Sequence, residues 1–169
     1  MAENRGKQFE SIVQESFEKL ANVSIDRLHD QTTGFKGSTN ICDFIVYRKP
    51  RIYYFECKSV HGNTLSIYGT KPENRYGNIT NKQWEGLIEK SRISGVIAGI
   101  LCWWVDKNVT LFLDIRLLQL LREGSFKSIR YDFSDDLAVE IPGYKKRVFF
   151  EYDMKQFLDK MEEVYARKY

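Results

Sequence analysis

Four segments of the chain are predicted to form α-helices, and two of them show a clear apolar stripe. In residues 4–20 the apolar positions recur about every 3.6 residues, and Asn4 stands before them as a capping residue. Residues 80–91 predict a second helix. Asp114 is expected to cap a short third helix that stops at Gly124, and Asp153 a fourth. The apolar stripes consist of Phe9, Ile12, Val13, Phe17 and Leu20 in the first helix, and of Met154, Phe157, Leu158, Met161 and Tyr165 in the last.

Strands are predicted between these helices. Residues 23–28 alternate apolar and polar side chains, and residues 41–47 and 52–58 are rich in β-branched and aromatic residues on either side of a turn. Residues 95–105 are apolar enough for a fully buried strand, and residues 109–113 form another. Helices alternating with a buried central strand predict an α/β fold with a mixed central sheet flanked by helices.

The composition agrees with one domain spanning residues 1–169. The chain is 43% hydrophobic and 14% aromatic, with only 3 Pro and 11 Gly, and no linker-like stretch divides it. Its longest apolar run is about half of the roughly 20 residues that a bilayer helix needs. The first residues contain no apolar signal segment, so we expect a cytoplasmic protein without membrane association. Three cysteines without close spacing and two histidines disfavour a disulfide scaffold and a zinc site.

Two acidic residues stand where the strand pattern predicts burial. If the hairpin turn is centred between Lys49 and Pro50, paired positions have numbers that add to 99, and Asp43 then lies opposite Glu56. Lys58 shares the face of Glu56 because side chains two apart on a strand point the same way. Facing like charges destabilise a sheet. A divalent cation bound by carboxylate oxygens is the simplest compensation.

The first helix offers a third acid. At about 100° per residue, Glu10 falls roughly 20° beyond the edge of the apolar stripe, so its side chain is expected to reach over the sheet edge. Glu15 and Glu18 project further from the stripe. Glu10 is therefore the helix carboxylate expected near Asp43 and Glu56.

These residues resemble the PD-(D/E)xK nuclease superfamily. Asp43, followed after a short hairpin by Glu56-Cys57-Lys58, is similar to its signature, and the opening helix, residues 5–10, is similar to that of archaeal and RecU-type Holliday-junction resolvases. Residues 78–83 also resemble the RecU-type family, so the likeness covers roughly the first two-thirds of the chain. Cys42 replaces the proline of the signature, and residues 31–40 are too short for the RecU-type stalk.

The resemblance implies a restriction-endonuclease-like fold and a metal-dependent endodeoxyribonuclease of recombination and repair. Asp43 and Glu56 would hold Mg²⁺ or Mn²⁺, with Glu10 as a ligand directly or through water and the backbone carbonyl of Cys57 as a further oxygen. Lys58 would orient the attacking water or neutralise developing charge. Branched DNA is the implied substrate, and cutting both strands of a junction implies a homodimer.

The segment after the second hairpin strand is expected to contact DNA. Its cationic, aromatic and amide side chains suit phosphate contacts and base stacking. Lys36, in the loop over residues 31–40, is a second phosphate candidate. Gln83 is ambiguous, because Thr80 and Gln83 also have the spacing of a helix capping box. The predicted DNA-binding residues are Lys36, Lys71, Arg75, Tyr76, Lys82 and Gln83.

Other functions remain open from the sequence alone. The same active site would serve a nuclease acting on flaps, ends or ordinary duplex DNA. A non-catalytic nucleic-acid-binding domain with the same fold is the alternative from another class. Trp84, near the predicted start of the second helix, suits either core packing or a DNA contact.

Overall fold

A computed structural model describes residues 4–29, 40–145 and 150–168 of the chain. These residues form four helices and ten strands, with runs of strands between successive helices. The helices are α1 (Arg5–Glu18), α2 (Asn81–Ser91), α3 (Ile115–Glu123) and α4 (Met154–Ala166). The strands are β1 (Ser24–Arg27), β2 (Phe44–Arg48), β3 (Arg51–Val60), β4 (Thr64–Ser66), β5 (Val96–Trp104), β6 (Val109–Asp114), β7 (Ser128–Arg130), β8 (Ala138–Glu140), β9 (Gly143–Lys145) and β10 (Phe150–Tyr152).

Six strands form the central sheet, in the order β1-β2-β3-β5-β6-β8. Strands β3 and β5 are parallel and every other neighbouring pair is antiparallel, so the sheet is mixed. Strands β4 and β7 form a separate two-stranded ribbon, as do β9 and β10. The predicted α/β fold with a mixed central sheet flanked by helices is confirmed.

The sheet separates two apolar cores because successive side chains of a strand point to opposite faces. One core joins α1 and α4 to the side chains of Phe44, Phe55 and Phe112. The other joins α2 and α3 to the opposite face, with Trp84, Ile100 and Leu113 fully buried. Residues of one strand therefore contribute to different cores, and Glu56 lies on the α2 side of β3.

The predicted helix caps are confirmed. Side-chain oxygens of Asn4, Thr80, Asp114 and Asp153 each accept a hydrogen bond from a backbone N–H in the first turn of their helix. Helix α3 ends at Gly124, as expected. These caps satisfy backbone donors that would otherwise lack partners at the helix start.

The hairpin of β2 and β3 has the predicted register. Phe44 pairs with Phe55 and Arg48 with Arg51, so paired numbers add to 99, and Lys49 and Pro50 form the turn. The first strand of the hairpin, β2, is shorter than predicted, because its regular pairing with β3 begins at Phe44 rather than at Ile41. Asp43 lies immediately before this strand, at the point where the two strands separate.

Residues 59–79 are more structured than the sequence indicated. Strand β3 continues to Val60, and β4 contributes Leu65 to the core beneath it. Leu65, Ile67 and Ile79 are fully buried. Three buried side chains anchor this segment on the α2 face of the sheet. No helix within the described residues is long and apolar enough to cross a bilayer.

Candidate active site

Asp43 is fixed at the end of the hairpin by its backbone and its side chain. Its N–H donates to the carbonyl of Phe55 at 3.0 Å, and its own carbonyl accepts from the N–H of Leu28 at 2.8 Å. The Oδ2 atom accepts a hydrogen bond from the backbone N–H of Cys57 at 2.8 Å. The Asp43 carboxyl group therefore accepts a hydrogen bond that a backbone carbonyl of a neighbouring strand would otherwise accept. It does so at the edge of β3, beyond the point where β2 stops pairing with it.

Glu56 is a buried carboxyl group beside Asp43. Only 4% of Glu56 is exposed, and the two carboxyl groups share a hydrogen bond. Burial, followed by the negative charge of Asp43, raises the pKa of Glu56 to about 8. Burial also raises the pKa of Asp43 above its usual value. Burial therefore makes it costly for both carboxyl groups to be charged at once.

Lys58 completes this cluster on the same face of β3, as predicted. Its Nζ lies 3.1 Å from Oε1 of Glu56 and donates to Oε1 of Gln83 at 3.0 Å. The ammonium group is mostly buried and acts against the rise in the pKa of Glu56. A cation at this position suits both a protein carboxylate and an incoming phosphate.

Gln83 forms the predicted helix cap and also contacts the acid cluster. Its backbone N–H donates to Oγ1 of Thr80 at 3.2 Å, and its Oε1 accepts from the Thr80 N–H at 3.1 Å, so the capping box is present. Its Nε2 also donates to Oε1 of Glu56 at 2.7 Å. The start of α2 is thereby tied to β3 through the carboxyl group of Glu56 and the ammonium group of Lys58.

Glu10 lies at the edge of this cluster and has its own cation. Its Oε2 accepts from Nη2 of Arg27 at 2.6 Å, and both side chains are about three-quarters buried. Burial and the charge of Asp43 raise the pKa of Glu10, while Arg27 acts in the opposite direction. Glu10 therefore approaches Asp43 as predicted, but its carboxylate is turned towards Arg27.

Cys57 is surrounded by these three acids. Burial, followed by the charges of Asp43, Glu56 and Glu10, raises the pKa of its thiol well above the usual value. The Cys57 N–H points to Asp43, and in an extended strand the carbonyl of the same residue points to the same side. Its carbonyl oxygen is therefore on the edge where the carboxyl groups lie.

The donor set fits a small, hard dication in part. Mg²⁺ is commonly held by one or two carboxylates, with its remaining positions taken by water and substrate phosphate. Asp43, Glu56 and the Cys57 carbonyl match that chemistry. The burial of two neighbouring carboxyl groups favours a bound cation, because a positive charge stabilises their ionised forms. Within residues 4–29, 40–145 and 150–168, however, no three His, Cys, Asp or Glu side chains converge closely enough to hold an ion. Glu10 would have to leave Arg27 to join.

Among the predicted DNA contacts, the cations are exposed. Lys71, Arg75 and Lys82 are all exposed, and no described carboxylate pairs with them within 4.0 Å. Lys82 directly precedes Gln83 in the first turn of α2. Lys36 lies outside the described residues. Their contacts with DNA, and that of Gln83, stay predictions.

Tyr76, expected to stack on DNA bases, packs against other side chains of the protein. Its ring stacks on Trp84 with centroids 4.5 Å apart and planes at 5°, and the Arg122 guanidinium lies 4.7 Å from the same centroid. These contacts hold the Tyr76 ring in the protein, and its contact with DNA stays a prediction. Trp84 is 1% exposed and its Nε1 donates to Gln119 at 2.9 Å, which settles its role as core packing.

Two arginines near the site were missed by the sequence analysis. Arg27, the last residue of β1, pairs with Glu10 from 17 positions away. Arg122, near the end of α3, covers Tyr76 and donates to the Arg75 carbonyl at 3.2 Å. The alternation of residues 23–28 places Arg27 on a definite face, but nothing in that pattern names its partner.

Comparisons with known proteins give a distant structural likeness. No protein-family model matches this sequence, and no curated protein matches it. The fold is similar to a Holliday junction resolvase, Hjc, from the archaeal hyperthermophile Archaeoglobus fulgidus, with 17% identity and a TM-score of 0.44 over 67% of this chain and 75% of that one. A likeness of this extent does not identify an activity.

Proposed function

We propose that this protein is a metal-dependent endodeoxyribonuclease that hydrolyses phosphodiester bonds in DNA. The observation that carries the proposal is the buried pair of Asp43 and Glu56, joined by a hydrogen bond, with the Lys58 ammonium 3.1 Å from Glu56. A fold gains nothing in stability from two buried acids placed together. Such a pair is typical of a functional site.

Two acids sharing a proton are suited to exchanging that proton for a dication. The two side chains need one unit of positive charge at neutral pH, which a proton supplies in the absence of metal. Mg²⁺ or Mn²⁺ bound here would supply Lewis-acid stabilisation of the phosphate and would lower the pKa of a bound water. Asp43, Glu56 and the Cys57 carbonyl would hold it, with Glu10 joining directly or through water.

The other residues of the cluster orient the reacting groups and neutralise negative charge. Lys58 holds its ammonium at the mouth of the acid pair, where it orients the attacking water or balances charge that develops on the phosphate. Gln83 fixes Lys58 through Oε1 and Glu56 through Nε2. Arg27 holds Glu10 at the edge of the site. Positioning by such contacts is a large part of what a hydrolytic site contributes.

We infer that the substrate is branched DNA and that the enzyme resembles Holliday-junction resolvases of recombination and repair. The likeness of residues 5–10, of Asp43 with Glu56-Cys57-Lys58, and of residues 78–83 to those families supports this inference. A homodimer follows from the same reasoning, since two cuts across a junction need two active sites. Flaps, ends and linear duplex are the alternative substrates.

Cleavage assays on matched DNA test the proposal. A four-way junction, a flap and a linear duplex of the same sequence are incubated with Mg²⁺ or with EDTA. We expect cleavage only with metal, fastest on the junction, and abolished in Asp43→Asn and Glu56→Gln. The exposed acid Asp106, which binds His61, provides the control Asp106→Asn, which should cleave normally. Equal rates on all three substrates would refute the junction preference, and cleavage by Asp43→Asn would refute the site.

A non-catalytic nucleic-acid-binding domain is a second candidate, favoured by one observation. Arg27 already satisfies Glu10, so the third acid is not waiting for a metal. Under this alternative the protein binds DNA, cleaves none of the three substrates with Mg²⁺ or Mn²⁺, and binds equally well as Asp43→Asn. Metal-dependent cleavage by the wild type would exclude it.

A further inference from the structure

A second feature of the surface suits nucleic acid and lies outside the acid cluster. The β4–β7 ribbon pairs Thr64 with Arg130 and Ser66 with Ser128. The same register continues one step further, because the N–H of Ile67 donates to the carbonyl of Lys127 at 2.9 Å. Tyr68 and Phe126 follow these residues at the end of the ribbon, and both line one notch in the surface.

These two aromatic side chains are exposed at the end of the ribbon. Leu65, Ile67 and Ile129 point inward and are buried, and alternation puts their neighbours outward. Tyr68 is 41% exposed and Phe126 is 51% exposed. Large exposed aromatic groups at a position where a ribbon normally presents polar residues indicate a binding surface.

A small notch separates the two rings. It has a volume of about 260 Å³ and is lined by Tyr68, Arg122, Ser125, Phe126 and Lys127. Drug-sized ligands occupy pockets of roughly 300–1,000 Å³, so this notch suits a single ring system. Its shape is held in place, since the N–H of Phe126 donates to the Leu121 carbonyl at the end of α3 at 2.9 Å.

Positive charge surrounds the notch. The Lys127 ammonium lies 5.3 Å and the Arg122 guanidinium 5.8 Å from the centre of the Tyr68 ring. Among the described residues, neither cation has a carboxylate partner within 4.0 Å. Aromatic rings flanked by uncompensated cations match a nucleobase with its adjoining phosphates better than they match an acyl chain or an uncharged peptide.

The notch is connected to the acid cluster by a short series of contacts. Arg122 donates to the Arg75 carbonyl at 3.2 Å, and the Arg75 N–H donates to Oδ1 of Asn81 at 3.0 Å. Asn81 is the first residue of α2, two positions before Gln83, which binds Glu56 and Lys58. The notch and the acid cluster are therefore linked through the start of α2.

We propose that the notch between Tyr68 and Phe126 binds an unpaired nucleobase of DNA, with Arg122 and Lys127 holding the phosphates beside it. This inference rests on the proposed nuclease function and adds a substrate class to it, namely DNA with unpaired nucleotides next to a duplex. Tyr68 and Phe126 supply stacking surface, and the two cations supply attraction that does not depend on sequence.

Binding measurements in EDTA test the notch without cleavage. The DNA is either a blunt duplex or the same duplex with a single-stranded tail of about ten nucleotides, a length within the usual site size. We expect Tyr68→Ala and Phe126→Ala each to lose ~10-fold in affinity for the tailed DNA and less than about 2-fold for the blunt duplex. Tyr144→Ala is the matched control, because Tyr144 is also an exposed tyrosine on a short two-stranded ribbon, 56% exposed.

A second readout reports stacking directly. 2-Aminopurine placed in the tail should lose fluorescence on binding the wild type and keep more of it with Tyr68→Ala. The proposal that the notch binds a base would be overturned if Tyr68→Ala and Phe126→Ala kept wild-type affinity for tailed DNA. It would also be overturned if Tyr144→Ala lost as much affinity, or if the two variants lost dimers instead of DNA affinity. Normal Mg²⁺-dependent cleavage alongside any of these results would leave the nuclease intact. A wild type that binds neither DNA would overturn both proposals.

Discussion

Glu56 is the residue on which the electrostatics of the site depend. It is enclosed between β3 and α2, accepts from Gln83 and Lys58, and faces the carboxyl group of Asp43. Without a second positive charge, burial makes its ionised form costly, so the carboxyl group keeps a proton up to a pH of about 8. That proton links the stability of the metal-free protein to pH.

The free energy of unfolding should fall as pH rises in the absence of metal. The pKa of Glu56 is 4.5 when unperturbed and about 8 in the fold, so the folded chain binds more protons between those values. Stability is then fully present below pH 4.5 and is lost as pH rises towards 8, by roughly 5 kcal/mol. Urea denaturation in EDTA at several pH values between 4.5 and 8 measures this loss.

The variant Glu56→Gln separates this contribution from that of all other groups. Glutamine keeps an oxygen for Gln83 and an N–H for Asp43, but it does not titrate. We expect its free energy of unfolding to change less with pH than that of the wild type, and to exceed it at the alkaline end. Parallel curves for the two proteins would show that Glu56 does not hold a raised pKa.

The central residues of the site were predictable from the sequence, and its edge was not. Strand parity and the hairpin register placed Asp43, Glu56 and Lys58 together, because both depend only on counting positions. The salt bridge of Arg27 with Glu10 depends on side-chain rotamers across two elements, which no periodicity reveals. The packing of Tyr76 was not predictable for the same reason, since one of its neighbours, Arg122, comes from a distant helix.

At the scale of elements, one side chain at the start of α2, that of Gln83, both caps the helix and contacts the acid cluster. Thr80→Ala removes a capping oxygen and should cost about 1 kcal/mol while leaving DNA cleavage near normal. Gln83→Ala removes part of the cap and also releases Lys58 and Glu56, so we expect a similar loss of stability together with a ~10-fold or larger loss of cleavage rate. Thermal melts and single-turnover cleavage give the two quantities.

Comparison of these two variants isolates the positioning role of Gln83. A structural role alone predicts that Thr80→Ala and Gln83→Ala have equal cleavage rates at a temperature where both are folded. A positioning role predicts that the pH profile of cleavage shifts only in Gln83→Ala, because only that change removes a partner of Glu56. Equal cleavage rates and equal pH profiles for the two variants would mean that Gln83 acts only as a helix cap.

Strand β5 has no room for a side chain at Gly99. A Cβ atom there would lie 2.2 Å from the Leu113 carbonyl oxygen and 2.6 Å from Cε2 of Phe112. We expect Gly99→Ala to cost about 2–3 kcal/mol, because the crowded neighbour is backbone of the adjoining strand. Gly124→Ala is the control, since its closest new contact would be 3.4 Å, and its melting temperature should stay near that of the wild type. Equal melting temperatures for both variants would contradict this packing.

Elements with long patterns were predicted, and short ones were missed. The first and last helices repeat their apolar period several times, and the hairpin strands and β5 are long apolar or β-branched runs, so the sequence identifies them. Strands β4, β7, β8, β9 and β10 have three residues each, too few to show a period. Their existence depends on pairing with distant strands, as in the β4–β7 ribbon that carries Tyr68.

At the scale of the whole molecule, the net charge of +3 conceals an uneven distribution. Lys71, Arg75 and Lys82 are exposed without a described carboxylate partner, whereas the exposed cations of α4 are neutralised within the helix. Lys155 pairs with Asp159, and both Lys160 and Arg167 pair with Glu163. DNA should therefore approach the side that carries residues 71–82.

Two triple variants with the same change in charge test this orientation. Replacing Lys71, Arg75 and Lys82 with Gln should weaken duplex binding and reduce the salt dependence by about 1 logarithmic unit of slope for each phosphate that the protein no longer neutralises. Replacing Lys155, Lys160 and Arg167 with Gln should change both quantities far less. Equal effects would mean that only net charge matters and that the predicted DNA-binding residues have no special role.

Titration of the protein with Mn²⁺, followed by the loss of the free-ion electron paramagnetic resonance signal, tests the central claim most directly. The claim is that the Asp43–Glu56 pair binds a dication. We predict one saturable site per chain, displaced by Mg²⁺, retained in Asp106→Asn, and lost in Asp43→Asn and Glu56→Gln. No saturable binding to the wild type, or binding unaffected by both site substitutions, would contradict the account.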